Sequence, residues 1–262
     1  MEQQMNGQPL LSGVPGRRRV VPQFGTLPFQ AREAINVLRG NIQLSGYNLK
    51  VIAITSALAQ EGKSSVSFHL ARSLAGLNKR VIYVDCDIRN SKAIARFQIQ
   101  GNIGGLSEFL CGRTRLNDII YQTDDQWMDM IFTGAVAPNP SELISSPLFT
   151  EMLNYLRGTY DYVIVDTPPV NPVIDGALIA KQCDGTILVV ESAVTERAQA
   201  VRAKHQLEYA GIKILGAVIN KIDRKKSGYG YGYGYGYGYG YGYGEHSKKS
   251  SGKSSSMRKR SK

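Results

Sequence analysis

Apolar residues along this chain fall into short runs separated by stretches of helical spacing. The runs are Val51 to Thr55, Val81 to Val84, Met128 to Phe132, Tyr162 to Val165, Ile187 to Val190 and Ile214 to Ile219. Most are apolar at successive positions, as in strands of a sheet covered on both faces. Between them the spacing predicts helices at about Lys63 to Gly76, Pro147 to Arg157, Val173 to Lys181 and Thr195 to Tyr209. Ahead of the first run, Ala34, Ile35, Leu38 and Ile42 recur at helical spacing within a further helix from Gln30 to about Ser45. Buried strands alternating with helices indicate an α/β fold, a doubly wound and mainly parallel sheet with helices on both faces. In such sheets ligands bind at the carboxyl ends of the strands.

The two ends of the chain lack this pattern. Residues 1–28 hold Pro9, Pro15, Pro22, Pro28 and the cluster Arg17-Arg18-Arg19, and read as a flexible arm ahead of a domain spanning 29–226. In residues 227–262, Tyr229, Tyr231, Tyr233, Tyr235, Tyr237, Tyr239, Tyr241 and Tyr243 alternate with glycine, so eight of the chain's 15 tyrosines sit where no core can use them. Glycine at every second position costs too much backbone entropy for a stable helix or strand. This segment therefore reads as a disordered string of exposed phenols.

Charge follows the same division. Residues 221–262 carry 11 Lys/Arg against Asp223 and Glu245, and residues 1–40 carry five Arg against Glu2 and Glu33. The net charges are +9 and +3, which leaves −1 of the chain's +11 for the part between. The basicity belongs to the tails, where it suits anionic lipid, nucleic acid or an acidic partner, though no sequence-specific nucleic-acid site is expected. Cys86, Cys111 and Cys183 are odd in number and have no CxxC spacing, which argues against a disulfide framework or a zinc site and fits a reducing cytoplasm. The first residues are polar, and no stretch approaches the roughly 18 apolar residues of a spanning helix, so any membrane location is expected to come through a partner. His69 and His205 fall inside predicted helices and His246 in the tail, none with a metal-ligand arrangement. Tyr47, Tyr83, Tyr121, Tyr155, Tyr160, Tyr162 and Tyr209 are expected to be packed rather than reactive.

Candidate chemistry sits at three strand ends. The segment Thr55 to Ser65, with Glu61-Gly62-Lys63-Ser64-Ser65, follows a strand and opens a helix, which is the context of a phosphate-binding loop. Its backbone N–H groups would cradle phosphates, Lys63 would reach the β and γ oxygens, and Ser64 would ligate Mg²⁺. Ala57 stands where the GxxxxGK(S/T) pattern has glycine. After the second run, Asp85 and Asp87 lie two residues apart on one side of an extended chain, fitted to hold a Mg²⁺ complex and accept a proton. A third run ends Val165-Asp166-Thr167-Pro168-Pro169, where Asp166 suits a Walker-B role on the metal.

These stretches, EGKSS, VIYVDCDIR and VIVDTPP in that order with a terminal tyrosine cluster, resemble the bacterial tyrosine kinases of capsule and exopolysaccharide synthesis. The likeness is to their stand-alone cytoplasmic form and spans about Gln30 to Gly244. The resemblance implies ATP and Mg²⁺ on Lys63 and Ser64, Asp85 and Asp87 as the catalytic and metal-linked pair, and Asp166 as Walker B. It further implies autophosphorylation of the tail tyrosines, a separate membrane-embedded activator or polysaccharide co-polymerase, a homo-oligomeric ring with phosphorylation in trans, and a partner tyrosine phosphatase. Two positions depart from it. Gln60 replaces a glycine, and a non-glycine residue there is unstrained only at negative φ. In the family's ring-associated Glu-x-x-Arg-x-x-Arg helix this chain reads Glu33, Asn36, Arg39.

Asn220-Lys221-Ile222-Asp223 resembles a guanine-reading NKxD, but the DxxG that accompanies it is missing. The kinases that the chain resembles carry a similar Asn-Lys and use ATP, so the resemblance implies Asn220 as a base-side contact and leaves Asp223 unassigned. Two other readings stay open: a positioning or partition ATPase whose basic tail binds membrane or DNA, and an aromatic low-complexity tail that drives assembly.

Overall fold

Short aliphatic runs buried on both faces become strands, whose ladder pairs the backbone groups where no water reaches. The computed structural model describes residues 4–5, 8–9, 18–46, 48–101 and 103–223. The chain divides at Asp223 into Met1–Asp223 and Arg224–Lys262; the eight tail tyrosines and His246 lie outside the described residues, as does Tyr47.

A two-stranded hairpin of β1 (Gln4–Met5) and β2 (Gln8–Pro9) precedes α1 (Phe29–Leu44), β3 (Val51–Ser56), α2 (Lys63–Ala75) and β4 (Val81–Asp85). The short elements α3 (Ala93–Arg96), α4 (Leu106–Leu110), α5 (Leu116–Ile119), β5 (Tyr121–Gln122), β6 (Met128–Ile131) and α6 (Pro140–Ile144) follow. Then come α7 (Pro147–Thr159), β7 (Tyr162–Asp166), α8 (Asp175–Ala180), β8 (Gly185–Glu191), α9 (Arg197–Tyr209) and β9 (Ile214–Asn220).

Seven strands form one sheet in the order β5-β6-β4-β7-β3-β8-β9, parallel except for β5 at the edge. The expected doubly wound sheet is the one observed. Alternate side chains divide between its faces. Ile52, Ile54, Tyr83, Ile164 and Val189 pack under α1 and α2, with Phe68, Leu70 and Leu74. On the opposite face Ile82, Val84, Val163 and Val165 meet Phe149, Met152 and Leu156 of α7. Ala53 and Leu188 meet Ala203 and Leu207 of α9. The start of α7 is fixed locally, with Ser146 accepting a hydrogen bond from the Phe149 N–H and Pro147 in the first turn.

Several features depart from the sequence reading. The edge strand β5 and the one-turn helices α3 to α6 were not expected, since four or five residues hold too little periodicity to register. Residues 18–28, read as part of a flexible arm, lie on the domain: Val20 is buried and its N–H bonds the Gln122 carbonyl at 2.8 Å. Phe24 stacks against Phe68, His69 and Phe97 at centroid distances of 4.9, 4.6 and 5.5 Å. Single apolar residues among prolines show no period, yet each finds a slot. Tyr209 departs the other way. It ends α9 at 96% exposure.

Candidate active site

The carboxyl ends of β3, β4 and β7 lie together, and register decides which groups meet. Parallel pairing sets Asp85 of β4 directly beside Asp166 of β7, and Ile54 of β3 beside Asp166 on its other side. The loop after β3 enters α2 at Lys63, whose ammonium lies 3.2 Å from Asp87 Oδ2 and 3.5 Å from Asp166 Oδ1. A cavity of about 100 Å³ opens here, lined by Gln60, Gly62, Lys63, Ser64, Asp85, Asp87 and Asp166 among others. The structure thus brings together Lys63, Ser64 and the three aspartates. Glu61, Ser65 and Asn220 do not line the cavity.

Electrostatics follow from burial. Asp85 and Asp166 are each 1% exposed. Burial, then the neighbouring Asp166 charge, pushes the Asp85 carboxyl up to about 7, against hydrogen bonds from Ser91 Oγ and the Asp87 N–H and the attraction of Lys63. Burial alone would lower the Lys63 pKa, but attraction to Asp166, Asp87 and Asp85 outweighs it and leaves it raised. Lys63 therefore stays an ammonium.

Asp85, Asp87 and Asp166 share the cavity with Lys63, Lys92 and Arg96, and the buried Asp166 Oδ1, 3.5 Å from the Lys63 ammonium, has no hydrogen-bond partner. That oxygen, with two further carboxylates nearby, fits a hard cation. Among the described residues no group of three or more His, Cys, Asp and Glu could hold a metal ion. Mg²⁺ suits such a partial donor set, since it keeps waters and takes phosphate oxygens beside one or two carboxylates.

The phosphate loop is held from behind by residues that its motif does not contain. Gly62 has φ 92°, and a Cβ there would stand 2.0 Å from Asn220 Nδ2, so both conformation and neighbour require glycine. Asn220 Nδ2 donates to the Glu61 carbonyl at 2.9 Å, placing Asn220 as a brace on the loop. The Glu61 carboxylate is turned into the loop, accepting from the Leu58 N–H at 2.6 Å and from the Thr195 hydroxyl. Gln60 does not have the negative φ at which a non-glycine residue is unstrained: it sits at φ 69°, in the left-handed region. Its carbonyl accepts from Lys221 Nζ at 2.7 Å, and that ammonium also meets Glu191 Oε2 at 2.8 Å. These bonds hold a backbone conformation that costs roughly 1–2 kcal/mol.

Two further residues escaped the sequence reading. Tyr83, fully buried in β4, donates its hydroxyl to Asp166 Oδ2 at 2.9 Å. Burial first, then Asp166 and Asp85, raise its phenol well above the ordinary value, so it remains a donor. A polar tip inside an aliphatic strand, two residues before Asp85 and hence on the same face, was the available signal. Arg89 clasps the fully buried Asp175 at the head of α8 through Nε and Nη2, while Ser141 Oγ donates to Asp175 Oδ1 at 2.6 Å. Asp175, in the first turn of α8, is thereby tied to Arg89 and Ser141.

With the geometry in place, comparison with known proteins is informative. The AAA domain family matches residues 49–199. Tyrosine-protein kinase CpsD of Streptococcus agalactiae serotype III (strain NEM316) is 39% identical over 200 residues, 76% of this chain and 86% of that protein. The kinase domain of Escherichia coli tyrosine kinase ETK superposes with a TM-score of 0.72 at 32% identity, covering 80% of this chain and 87% of that one. The septum site-determining protein MinD from Pyrococcus horikoshii OT3, solved with Mg-ADP, gives 0.58 at 22% identity over 68% of this chain and 72% of that one, a likeness of fold alone.

Proposed function

This chain belongs to the bacterial tyrosine-protein kinases, and from that premise we propose that it uses ATP and Mg²⁺ to phosphorylate its own tail tyrosines in the control of capsule or exopolysaccharide synthesis. The observation that carries this reading is the Lys63 ammonium held between Asp87 and Asp166 beside Asp85, at the head of α2.

Lys63 and the backbone N–H groups at the start of α2 bind the phosphates of ATP. Ser64, Asp87 and Asp166 would hold Mg²⁺, which when bound draws off charge from the β and γ oxygens. Asp85, on the cavity wall between Lys63 and Asp166, accepts the proton of the incoming tyrosine hydroxyl. The phenolic oxygen bonds to the γ-phosphorus as the bond to the leaving ADP oxygen breaks. Glu61, Gly62 and Ser65 contribute loop conformation and backbone to nucleotide binding, and Asn220 braces them near the base.

The substrates are Tyr229 to Tyr243, presented in trans within a homo-oligomeric ring. Each phosphate adds about −1.5 to −2, so eight add roughly −12 to −16 and reverse the +9 of residues 221–262. That reversal is a means to change assembly or docking on a membrane-embedded co-polymerase, and a tyrosine phosphatase restores the charge. No described helix is long and apolar enough to cross a membrane. The chain works in the cytoplasm, recruited to the inner face of the membrane by that partner.

The test is phosphotyrosine mass spectrometry of the purified chain after incubation with Mg-ATP and the activator's cytoplasmic segment. Wild type is expected to label in the tail, and Lys63→Met and Asp85→Asn to lose at least 100-fold in rate. Normal labelling of Lys63→Met, or of a variant with all eight tail tyrosines changed to Phe, overturns the reading.

A further inference from the structure

A second cavity, of about 370 Å³, lies between α1, α2 and residues 24–27, and shares no lining residue with the first. Arg32, Arg39 and Arg72 line it, and no Asp or Glu does. Glu33, on the same helix, is engaged instead by Asn36 Nδ2 at 3.1 Å. None of the three arginines makes an ion pair among the described residues, and they meet neutral groups instead. The Arg32 and Arg72 guanidinium carbons stand 5.7 and 5.9 Å from the Phe29 and Phe68 ring centroids, and Arg39 Nη1 donates to Ser73 O and Oγ at 3.0 and 2.9 Å.

Two nitrogen atoms at this cavity are buried with no hydrogen-bond partner, Arg39 Nε and His69 Nε2. Among the described residues five other buried side-chain atoms lack a partner, all of them oxygens; these two are the only nitrogens. A guanidinium with its Nε buried and unanswered, beside two more unpaired guanidiniums, is a site built for an oxyanion from outside the domain. The opposite wall is apolar, formed by Phe24, Leu27 and Ile35. At about 370 Å³ the cavity is larger than a single phosphate ion needs. The ligand therefore carries a dianionic head and an apolar body of ring size.

We infer that this cavity binds a phosphotyrosyl side chain, its phosphate on Arg39, Arg72 and Arg32 and its ring against Phe24, Leu27 and Ile35. The kinase activity supplies such groups, so the source of the ligand rests on that reading while the site itself does not. Arg72 follows Lys63 by nine residues, about 14 Å along α2, so one helix carries the phosphate-transferring lysine at its head and the product-reading arginine near its end. His69 supports the picture. Burial, and after it the Arg72 charge, lowers its pKa to about 4, so it stays neutral beside the arginines.

The test is calorimetric titration of the full chain, dephosphorylated and saturated with Mg-ADP so that the nucleotide site is closed, with the synthetic peptide Gly-phosphoTyr-Gly. Gly-Tyr-Gly and inorganic phosphate serve as comparisons. The phosphopeptide is expected to bind at least 10-fold more tightly than inorganic phosphate, and Gly-Tyr-Gly not measurably. Arg39→Gln and Arg72→Gln should each weaken binding at least 10-fold, and Arg72→Lys, which keeps the charge and loses the fork, several-fold. In NMR the His69 imidazole should shift on binding, its pKa rising from about 4 toward the ordinary 6.5 as the phosphate arrives. Equal affinity for phosphate and phosphopeptide, undiminished binding by folded Arg72→Lys, or a stationary His69 signal overturns the inference. Because the peptide is synthetic, failure here leaves the kinase reading standing, and failed labelling leaves this site standing.

Discussion

Replacing Tyr83 by Phe removes one oxygen atom from the core and tests what positions Asp166. The ring would keep its edge-on packing against Phe97 and Phe68, at 5.8 and 6.3 Å between centroids, so no cavity forms. What is lost is the 2.9 Å hydrogen bond to Asp166 Oδ2. A hydrogen bond to a charged group contributes about 1.5–3 kcal/mol, and here the carboxylate is left 1% exposed with neither oxygen hydrogen-bonded. We expect about 2 kcal/mol of destabilisation by urea unfolding at pH 7, or roughly 4–8 °C in melting temperature for a domain of this size. Stability alone would not separate positioning from packing, so the second readout is the Mg²⁺ concentration needed for half-maximal ADP binding. Loss of an outer-shell partner costs about 10–100-fold in metal affinity. Tyr121→Phe is the control: it gives up a 2.9 Å bond to the neutral Gly104 carbonyl, remote from the aspartates, and should leave the Mg²⁺ requirement unchanged. If Tyr83→Phe costs under about 0.5 kcal/mol and the Mg²⁺ requirement does not move, Tyr83 does not position Asp166.

Gly62→Ala should abolish nucleotide binding, since a Cβ at φ 92° also meets Asn220 Nδ2 at 2.0 Å; partial rescue of ADP affinity by adding Asn220→Gly would identify the clash as the cause. Lys221→Met frees the Gln60 carbonyl and should weaken ADP binding several-fold in wild type but little when Gln60 is Gly, because glycine holds positive φ without a brace; equal losses in both backgrounds refute the brace. His69, ordinarily near 6.5, is lowered to about 4, first by burial and then by Arg72. A depressed folded pKa means that its contribution is fully present above pH 6.5 and is lost as pH falls through about 4, so His69→Phe should flatten the stability profile between those values; an unchanged slope in thermal melts from pH 4 to 7 counts against it.

Much of this site was legible in the chain because its parts are local. A glycine-lysine-serine at a strand-to-helix junction and carboxylates ending aliphatic strands each announce themselves within a dozen residues, and the strand pattern alone places them at one sheet edge. The braces were not legible. Lys221 lies 161 residues from Gln60, Asn220 159 from Glu61, and Tyr83 83 from Asp166. No periodicity or motif spans such separations, so nothing in the sequence shows how a non-glycine residue at position 60 is held in the left-handed region.

The sequence by itself determined the alternation of buried strands and helices, the lysine and carboxylates at their ends, and the segregation of charge and tyrosine into the tail. Those are properties of composition and short-range order, fixed by what each segment can bury. Tertiary structure alone decided that Asp85 stands beside Asp166, that the phosphate loop is held from β8 and β9, and that three arginines gather without a counter-charge. Register and helix packing bring distant residues to hydrogen-bonding range, and the low dielectric there turns proximity into the pKa shifts and unpaired donors from which function is read.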